Sequence, residues 1–441
     1  MAFSTPIDSC QVREAKRVND ESYSPQAPSG THDVMPPESA RWEALLAIFS
    51  SLAHRSGFSM VHTPIFEDVR VFRRGIGEAS EVVGKEMYEF TDRGGRLLAL
   101  RPEGTASIVR AYVQHRPAAP WRAWYATPAF RYERPQAGRY RQHHQVGVEA
   151  LGTDDPDLDV EVIALADSFY GALGLTNRSL RVNSMGDRTC RPAYVEALRG
   201  YLQEHVDELC DEHAERFGAN PLRVLDCKRP SCVQVTSHAP MLIDALCAQC
   251  AEHHARVLEG LAAVGITAEP DPRLVRGLDY YMRTTFEFSS AALDGAQNAI
   301  GGGGRYDGLA ESLGGPPTPG IGFGIGIERV LLACDAEGVF DVVPDPPLGF
   351  VVDVTGGEVA RDLVASLRRL GLHVERAYDH RSMKAQLKAA DRSGSPLALI
   401  VGDEERAAAS VTIRRLREAG EQITVSMRDL LARAEETGNL L

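Results

Sequence analysis

Residues 122–151 read RAWYATPAFRYERPQAGRYRQHHQVGVEAL and indicate the fold class of the chain. The stretches Arg122 to Glu133 and Gln145 to Leu151 contain many aromatic or β-branched residues, which predicts two strands joined by a basic loop. Helical patterns at Thr105 to Val113 and Asp157 to Leu173 interrupt the predicted strands irregularly. This arrangement favours an antiparallel α+β sheet over a doubly wound parallel sheet. Further strands are predicted at Phe58 to Thr63, Leu180 to Ser184 and Val275 to Phe288.

The loop between the first two strands concentrates positive charge. Residues 131–141 hold four arginines and one glutamate, in a chain whose formal net charge is −13. A guanidinium group binds phosphate through a planar fork, so this loop is suited to grip a polyphosphate; a solvated basic hairpin is the alternative. On the next strand Gln145, Gly147 and Glu149 share one face, because side chains alternate along a strand. This face predicts a floor for a small polar ligand.

Two other segments have patterns suited to ligand binding. Arg101, Glu103 and Thr105 alternate, and we expect the acid and the hydroxyl to line one side of an extended segment. Residues 320–326 alternate glycine with bulky apolar residues, which predicts a strand with a bare face on which a flat ring could lie. Neither these glycines nor Gly301 to Gly304 fit a dinucleotide fingerprint or a P-loop, since the βαβ context and the Gly-Lys-Ser/Thr sequence are missing.

The composition is that of a globular protein with two to four domains. Of the 441 residues, 44% are apolar and 25% are charged, which excludes a disordered or collagen-like chain. The acidic excess excludes a protein that coats nucleic acid through bulk positive charge, but leaves room for a local basic site. We find no apolar run of membrane-spanning length and no signal-peptide pattern, and therefore predict a cytoplasmic protein.

The sequence predicts three parts along the chain. Residues 1–28 lack apolar periodicity, which predicts a flexible tail. Residues 29–342 form the main domain, with a mostly helical insertion at about 187–265. The proline-rich stretch Val343 to Pro347 predicts a linker, and alternating strands and helices in residues 348–441 predict a small α/β domain.

Four of the eight cysteines lie close together, from Cys227 to Cys250, within the predicted insertion. The spacings Cys227-x4-Cys232 and Cys247-x2-Cys250 are loosely similar to those of a zinc ribbon. The first spacing is wide, and the insertion is helical enough in pattern to fold without a metal. We therefore expect free thiols and no metal ligands, with structural zinc as the alternative.

Five motifs together indicate a known family. They are Arg101-Pro102-Glu103-Gly104-Thr105, Phe130-Arg131-Tyr132-Glu133-Arg134-Pro135, Arg276-Gly277-Leu278-Asp279-Tyr280-Tyr281, Gly303-Gly304-Arg305-Tyr306-Asp307-Gly308 and Gly326-Ile327-Glu328-Arg329. In this order they resemble the signatures of the histidyl-tRNA synthetases, a family of class II aminoacyl-tRNA synthetases. The resemblance extends from about residue 26 to the C-terminus. The third motif is specific to the histidine enzymes and their paralogues.

This resemblance implies a class II catalytic domain on an antiparallel sheet, with a helical insertion and a C-terminal anticodon-binding domain at 348–441. It also implies a two-step reaction, in which L-histidine and ATP give histidyl-adenylate and the histidyl group passes to the 3′ end of tRNA(His). Mg²⁺ is expected to accompany ATP. The region of Pro64 resembles the motif that builds the homodimer in this class. The implied partners are tRNA(His), L-histidine and a second copy of the chain, without a membrane.

The resemblance assigns catalytic roles to three arginines. Arg131 should hold the α-phosphate and the histidine carboxylate, Arg276 should approach the α-phosphate from the opposite side, and Arg329 should hold the outer phosphates. His143 stands where the family commonly has a phenylalanine that stacks on adenine, and a planar imidazole can also stack. The implied histidine-binding residues are Glu103, Thr105, Arg131, Gln145, Glu149, Arg276, Tyr280 and Tyr281. The implied ATP-binding residues are Arg131, Arg139, His143 and Arg329.

Two alternative functions remain. One is the inactive synthetase paralogue that serves as the regulatory subunit of ATP phosphoribosyltransferase. Such paralogues usually lack the C-terminal domain and lose the motif arginines, which this chain keeps. The other is a class II synthetase for another amino acid, which Glu149 and the pair Tyr280-Tyr281 disfavour.

A basic stripe is predicted in the C-terminal domain. Its residues fall on one face of a predicted helix, and the resemblance implies that this face lies near tRNA; a solvated face is the alternative. The stripe consists of Arg381, Lys384, Lys388 and Arg392.

Overall fold

The computed structural model describes residues 24–77, 80, 82–293, 298–418 and 421–441. The chain divides into two units, with the boundary between Val342 and Val343, where the predicted linker begins. Most of the predicted tail at 1–28 lies outside the described residues. Residues 24–28 have no regular secondary structure.

The elements of the first unit are numbered along the chain. The strands are β1 (Ser59–Met60), β2 (Phe66–Asp68), β3 (Glu89–Thr91), β4 (Leu97–Leu100), β5 (Trp121–Phe130), β6 (Gln142–Leu151), β7 (Arg178–Ser184), β8 (Glu269–Pro270), β9 (Met282–Ser290), β10 (Ala299–Arg305) and β11 (Gly320–Gly326). The helices are α1 (Glu38–Arg55), α2 (Val69–Ile76), α3 (Thr105–His115), α4 (Pro156–Ala172), α5 (Arg191–Glu204), α6 (Asp211–Arg216), α7 (Leu222–Leu225), α8 (Pro230–Thr236), α9 (Ala248–Ala263), α10 (Leu309–Ser312) and α11 (Ile327–Glu337).

The main sheet has eight strands among the described residues, in the order β1-β5-β6-β11-β10-β9-β7-β8. The inner pairs are antiparallel, and only the outermost pairs β1–β5 and β7–β8 are parallel. Strands β5 and β6 form the predicted hairpin. The predicted antiparallel α+β sheet is therefore confirmed.

The two faces of β6 have different environments. Val146 and Val148 are fully buried in the main apolar core, to which α1 and α4 also contribute. Gln145, Gly147 and Glu149 lie on the opposite face because side chains alternate along the strand. The core therefore fixes which face of the sheet remains for polar groups.

Several predicted elements differ from the structure, and the strand predicted at Phe58 to Thr63 covers only Ser59–Met60. The strand predicted at Val275 to Phe288 begins only at Met282, and residues 275–281 form a loop that borders the cleft described below. The segment ending at Thr105 is not extended, because Thr105 begins α3. Glu103 accepts hydrogen bonds from the backbone N–H groups of Thr105 and Ala106 at 2.7 and 2.8 Å. It thereby satisfies donors that a helix start leaves unpaired.

The region predicted as an insertion is mainly helical, from α5 to α9. Its apolar side chains form a cluster of their own, which includes Tyr194, Leu198, Val224 and Val235. Helices α6, α7 and α8 are short, with six, four and seven residues. Secondary structure alone therefore organises this region weakly.

The second unit is a small α/β fold. Its elements are β12 (Gly349–Asp353), α12 (Glu358–Arg369), β13 (Val374–Arg376), α13 (Met383–Arg392), β14 (Leu397–Val401), α14 (Asp403–Ala407), β15 (Ser410–Arg415), β16 (Ile423–Ser426) and α15 (Met427–Thr437). The sheet order is β13-β12-β14-β15-β16, with parallel pairing up to β14 and antiparallel pairing beyond it. In neither unit does a described helix have the length and apolarity needed to cross a bilayer.

Candidate active site

The polar face of β6 borders a cleft of about 410 Å³ in the first unit. The loop at 275–281 and the ends of β10 and β11 also contribute to its wall. Arginines from four separate segments meet acidic side chains here, so the cleft carries both signs of charge. Of the predicted site residues, those that line the cleft are Arg131, Arg139, His143, Gln145, Arg276, Tyr281 and Arg329.

Two of these arginines are anchored to the main chain. Arg131 follows β5 directly, and its Nε donates a hydrogen bond to the Pro102 carbonyl at 3.0 Å. Arg329 lies in the first turn of α11, and its Nε donates to the Ala299 carbonyl at 2.7 Å. These bonds orient each guanidinium group at the cleft, so that little ordering is left for a ligand to impose.

Arg276 is held by a carboxylate instead. Its Nη1 lies 2.6 Å from Oε2 of Glu287 on β9, and Glu287 also contacts Arg181 at 2.6 Å. A Cβ atom at Gly302 would lie 3.0 Å from Cζ of Arg276, so this glycine makes room for the guanidinium group. Glu287 was not predicted as a site residue. Its signal in the sequence is an acid in a strand whose neighbouring positions are buried phenylalanines.

A buried network of hydroxyls and carboxylates lies next to the cleft. The Thr105 hydroxyl donates to Oε1 of Glu149 at 2.6 Å, and the Tyr306 hydroxyl donates to Oε2 of Glu149 at 2.6 Å. The Tyr280 hydroxyl lies 3.5 Å from Oε2 of Glu103. The structure therefore brings together the predicted residues Glu103, Thr105, Glu149 and Tyr280, but it buries them rather than exposing them in the wall of the cleft.

Burial changes the protonation of this network. It raises the pKa of Glu149 to about 8, although the hydrogen bonds from Thr105 and Tyr306 act in the opposite direction. It also raises the pKa of Glu103. A cation or a hydrogen-bond donor placed beside these carboxyl groups would favour their ionised form. The network is therefore suited to a ligand that carries such groups.

The pKa of His143 is shifted in the opposite direction from those of Glu149 and Glu103. Burial, together with the nearby Arg131 cation, lowers the pKa of His143 to about 3. The imidazole is therefore neutral near pH 7, and its ring lines the cleft next to the arginines.

Two tyrosines that contact Glu149 were missed as site residues. Tyr306 belongs to the motif at 303–308, which is the signal that could have identified it. Tyr125 lies opposite Gly147 in the β5–β6 hairpin, and its hydroxyl is 3.3 Å from Oε1 of Glu149. A Cβ atom at Gly147 would lie 2.4 Å from that hydroxyl. The room that this glycine provides is therefore filled by Tyr125.

The glycines of β11 are only partly available to a flat ring. A Cβ atom at Gly320 would lie 2.4 Å from the Tyr306 ring, and one at Gly322 would lie 1.8 Å from Oε2 of Glu149. These two glycines accommodate protein side chains, which corrects the prediction of a bare face. Gly326 lines the cleft.

Arg101 is not part of the site. It is buried, and its guanidinium group donates to the carbonyls of Thr63, Pro64 and Pro128. Its role is to join these segments, whereas Glu103 and Thr105 of the same motif belong to the buried network next to the cleft.

The four cysteines of the suggested ribbon do not form one cluster. Cys227 and Cys232 lie in one group, with Cys210 and His213. Cys247 and Cys250 lie in a second group, with Asp187 and Cys190.

The predicted basic stripe of the second unit is exposed. Lys384, Lys388 and Arg392 lie on α13. Arg381 precedes this helix and pairs with Asp379 at 3.2 Å.

Comparisons with known proteins agree with this geometry. The profile of the family described as histidyl-tRNA synthetase matches residues 30–330, and the profile described as anticodon binding domain matches residues 350–437. The chain is 48% identical over 410 residues to a histidine–tRNA ligase of Moorella thermoacetica, covering 91% of this chain and 95% of that protein. It is also 48% identical over 413 residues to a histidine–tRNA ligase of Mycobacterium bovis, covering 92% and 96%.

A solved structure gives the same result for the fold. The apo histidyl-tRNA synthetase of Staphylococcus aureus superposes with a TM-score of 0.79 at 34% sequence identity, covering 93% of this chain and 100% of that one. Profile, sequence and fold thus converge, and the chain belongs to the histidyl-tRNA synthetase family.

Proposed function

We propose that this chain is a histidine–tRNA ligase. It activates L-histidine with ATP to histidyl-adenylate and pyrophosphate, and then transfers the histidyl group to the 3′ end of tRNA(His). The observation that carries this proposal is the convergence of Arg131, Arg276 and Arg329 on one cleft, next to the buried network around Glu149. We place the protein in the cytoplasm, where tRNA and ATP are available.

Adenylation needs charge stabilisation rather than a protein nucleophile. The histidine carboxylate attacks the α-phosphorus of ATP, and negative charge builds up on the oxygens of the five-coordinate phosphorus. We assign Arg131 to the α-phosphate and the carboxylate, and Arg276 to the α-phosphate from the other side. Arg329 and Arg139 hold the outer phosphates. The anchoring of Arg131 and Arg329 supports these roles, because oriented cations stabilise the transition state without first being reorganised.

Histidine recognition is assigned to the network next to the cleft. Glu103, Thr105 and Gln145 bind the α-ammonium group in this proposal. Glu149 and Tyr281 bind the two imidazole nitrogens, of which one donates and one accepts in the neutral ring. Tyr280 completes the wall, and Arg131 and Arg276 hold the carboxylate. Buried hydrogen-bonding groups reject ligands that lack matching partners, so discrimination follows from the same contacts.

The adenine ring is assigned to His143. A neutral imidazole stacks on a base without the cost of desolvating a charge, and the lowered pKa of His143 supports this role.

Mg²⁺ fits the carboxylates of this cleft as a companion of ATP. Glu133 lines the cleft and offers oxygen ligands, which this cation prefers, whereas both carboxylate oxygens of Glu287 are bonded to Arg276 and Arg181. Over the described ranges no group of three acidic side chains is preassembled in the cleft. We therefore propose that the ion is held mainly by phosphate oxygens and water, and that it neutralises charge on the outer phosphates.

A homodimer is proposed through the face near Pro64. Met60, Ile65 and Phe66 are exposed there, and the ring of Phe66 contacts that of Phe90 on β3, which is also exposed. Exposed apolar residues grouped in this way are typical of an interface. Sedimentation of the wild type as a dimer, and of the variant Phe66→Asp as a monomer, is the expected result.

The second unit is proposed to bind the tRNA anticodon, since its profile match carries that description. The exposed cations of α13 would contact the phosphate backbone, which adds affinity without sequence selectivity.

Amino-acid-dependent pyrophosphate exchange tests the proposed function. Each of the twenty amino acids is supplied in turn, and only L-histidine should support exchange. Aminoacylation of tRNA(His) should follow. The variant Arg276→Ala should lose exchange while it keeps most of its affinity for histidine, because Arg131 and the network around Glu149 still bind the amino acid. Absence of histidine-dependent exchange, together with stimulation of an ATP phosphoribosyltransferase, would instead support the regulatory paralogue.

A further inference from the structure

The strongest unassigned feature lies in the insertion, outside the cleft. Cys210, His213, Cys227 and Cys232 place their ligand atoms within 4.8 Å of one another. Sγ of Cys210 is 3.1 Å from Nδ1 of His213, and Sγ of Cys232 is 3.9 Å from the same nitrogen. We propose that these four residues bind one structural Zn²⁺ ion, in place of the free thiols predicted from the sequence.

The donor set fits zinc. Zinc–sulfur bonds of about 2.3 Å and zinc–nitrogen bonds of about 2.0 Å in a tetrahedron put neighbouring ligand atoms roughly 3.5 Å apart. The separations of Nδ1 of His213 from Sγ of Cys210 and from Sγ of Cys232, 3.1 and 3.9 Å, lie on either side of that value. Three soft thiolates and one imidazole also select zinc over the oxygen-seeking cations Mg²⁺ and Ca²⁺.

The local backbone supports the same assignment. The N–H of Cys210 donates to Sγ of Cys232 at 3.3 Å, a contact that satisfies a thiolate. Cys232 is buried, whereas the other three residues are half-buried. Thiols make weak hydrogen bonds, so such bonds alone give little reason to gather three of them around one imidazole. A metal would provide the cross-link that the short helices α6, α7 and α8 lack.

The segment between the ligands reaches the loop that carries Arg276. Nδ2 of Asn220 donates to Oδ1 of Asp279 at 3.1 Å, and Nη2 of Arg223 donates to the Gly277 carbonyl. The ion would therefore hold residues 213–227 against the loop at 275–281. This consequence rests on the proposed function, whereas binding of the ion does not.

The second group is the competing site. Its carboxylate, on Asp187, already accepts hydrogen bonds from the N–H groups of Thr189 and Cys190 at 2.8 and 3.3 Å. It also lies 3.8 Å from the Arg283 guanidinium. These contacts make it a weaker donor set than three cysteines and a histidine, so the proposal is confined to the first group.

Zinc content of the full, untagged chain tests the proposal. The protein is purified without added metal and measured by plasma mass spectrometry, with Cys227→Ser and His213→Ala as test variants. Each variant lacks one of the four proposed ligands. Its zinc content should therefore be lower than that of the wild type by about one ion per chain. His213→Cys, which restores a ligand, should retain zinc. His238→Ala is the matched control, since His238 is exposed in the same region and outside both groups.

A measurement on the wild type keeps the test independent of the folding of the variants. Titration of the thiols with an organomercurial should release zinc as Cys210, Cys227 and Cys232 react, as followed by peptide mass spectrometry. Absence of zinc from the wild type would overturn the proposal. Zinc lost from Cys247→Ser but not from Cys227→Ser would also overturn it, because the ion would then belong to the second group.

The consequence for catalysis has a separate readout. If the ion holds the loop, His213→Ala should raise KM for histidine several-fold in pyrophosphate exchange, whereas His213→Cys should be close to the wild type. An unchanged KM in a zinc-free variant would refute the link to the loop. Absence of histidine-dependent exchange in the zinc-loaded wild type would refute the proposed function instead.

Discussion

Nη1 of Arg276 lies 2.6 Å from Oε2 of Glu287, so a carboxylate on β9 positions the arginine that the preceding loop brings to the cleft. Glu287→Ala should therefore lower histidine-dependent pyrophosphate exchange by about 10–100-fold, as expected when a catalytic group is displaced by about 1 Å. The affinity for ATP should change less. Arg181→Ala is the control, because it removes the other cation bound to Glu287. Equal losses of exchange in Glu287→Ala and Arg181→Ala would contradict the conclusion that Glu287 acts by positioning Arg276.

The buried Glu149 carboxyl predicts a pH dependence of stability. The folded chain keeps this proton up to about pH 8, whereas the unfolded chain releases it near the ordinary pKa of 4.5. The unfolded state binds fewer protons in that window, so this group lowers the free energy of unfolding as pH rises from about 4.5 to about 8. The slope is at most about 1.4 kcal/mol per pH unit.

Glu149→Gln removes this titration and keeps a similar shape. Urea unfolding of the ligand-free protein at about pH 5 and about pH 7.5 should show a smaller decline for the variant than for the wild type. Parallel declines would show that Glu149 does not titrate as its burial implies.

Two glycines of β11 provide a matched pair of substitutions. In Gly322→Ala the new methyl group would lie 1.8 Å from Oε2 of Glu149 and 2.3 Å from the Val148 carbonyl. We expect a loss of about 2–4 kcal/mol in the free energy of unfolding, together with weaker histidine binding. In Gly324→Ala the nearest atom lies at 3.7 Å, an ordinary contact, and stability should change by less than about 1 kcal/mol. Similar denaturation midpoints for the two variants would contradict this account.

Arg139 and Arg134 lie in the same loop but differ in their relation to the cleft. Arg139 lines it, whereas Arg134 is exposed and outside it. Arg139→Ala should raise KM for ATP by about 10–100-fold, the value of one charge-assisted hydrogen bond. Arg134→Ala should leave this KM unchanged in pyrophosphate exchange. A larger increase in KM for Arg134→Ala than for Arg139→Ala would contradict the assignment of Arg139 to the phosphates.

The cations of α13 are expected to affect tRNA rather than adenylation. Reversing the charge of Lys384 and Lys388 should raise KM for tRNA, more at low salt than at high salt, and should leave pyrophosphate exchange unaltered. Reversal of Arg428 and Arg433 on α15 makes the same change in net charge on another helix. An equal effect of both double variants would indicate a general charge effect instead of a contact.

Local patterns predicted the strands of the hairpin, and together with the family resemblance they identified seven of the residues that line the cleft. The alternation around Val146 and Val148 is visible in the sequence, because burial of one face requires apolar residues at every second position. The motif arginines were found by resemblance. Glu287 and Tyr125 were missed, since a single acid or tyrosine within a strand gives no local sign of the partner it meets.

The sequence by itself determined the fold class, the family resemblance and the segments that carry Arg131, Arg276 and Arg329, because these depend on periodicity and on motifs of neighbouring residues. Only the tertiary structure decided which groups lie side by side. The pairing of β6 with β11 places Glu149 opposite Gly322, and the folding of the insertion groups Cys227 with Cys210 rather than with Cys247. Such contacts join residues far apart in the chain, and their energies depend on burial and distance, which a linear pattern does not contain.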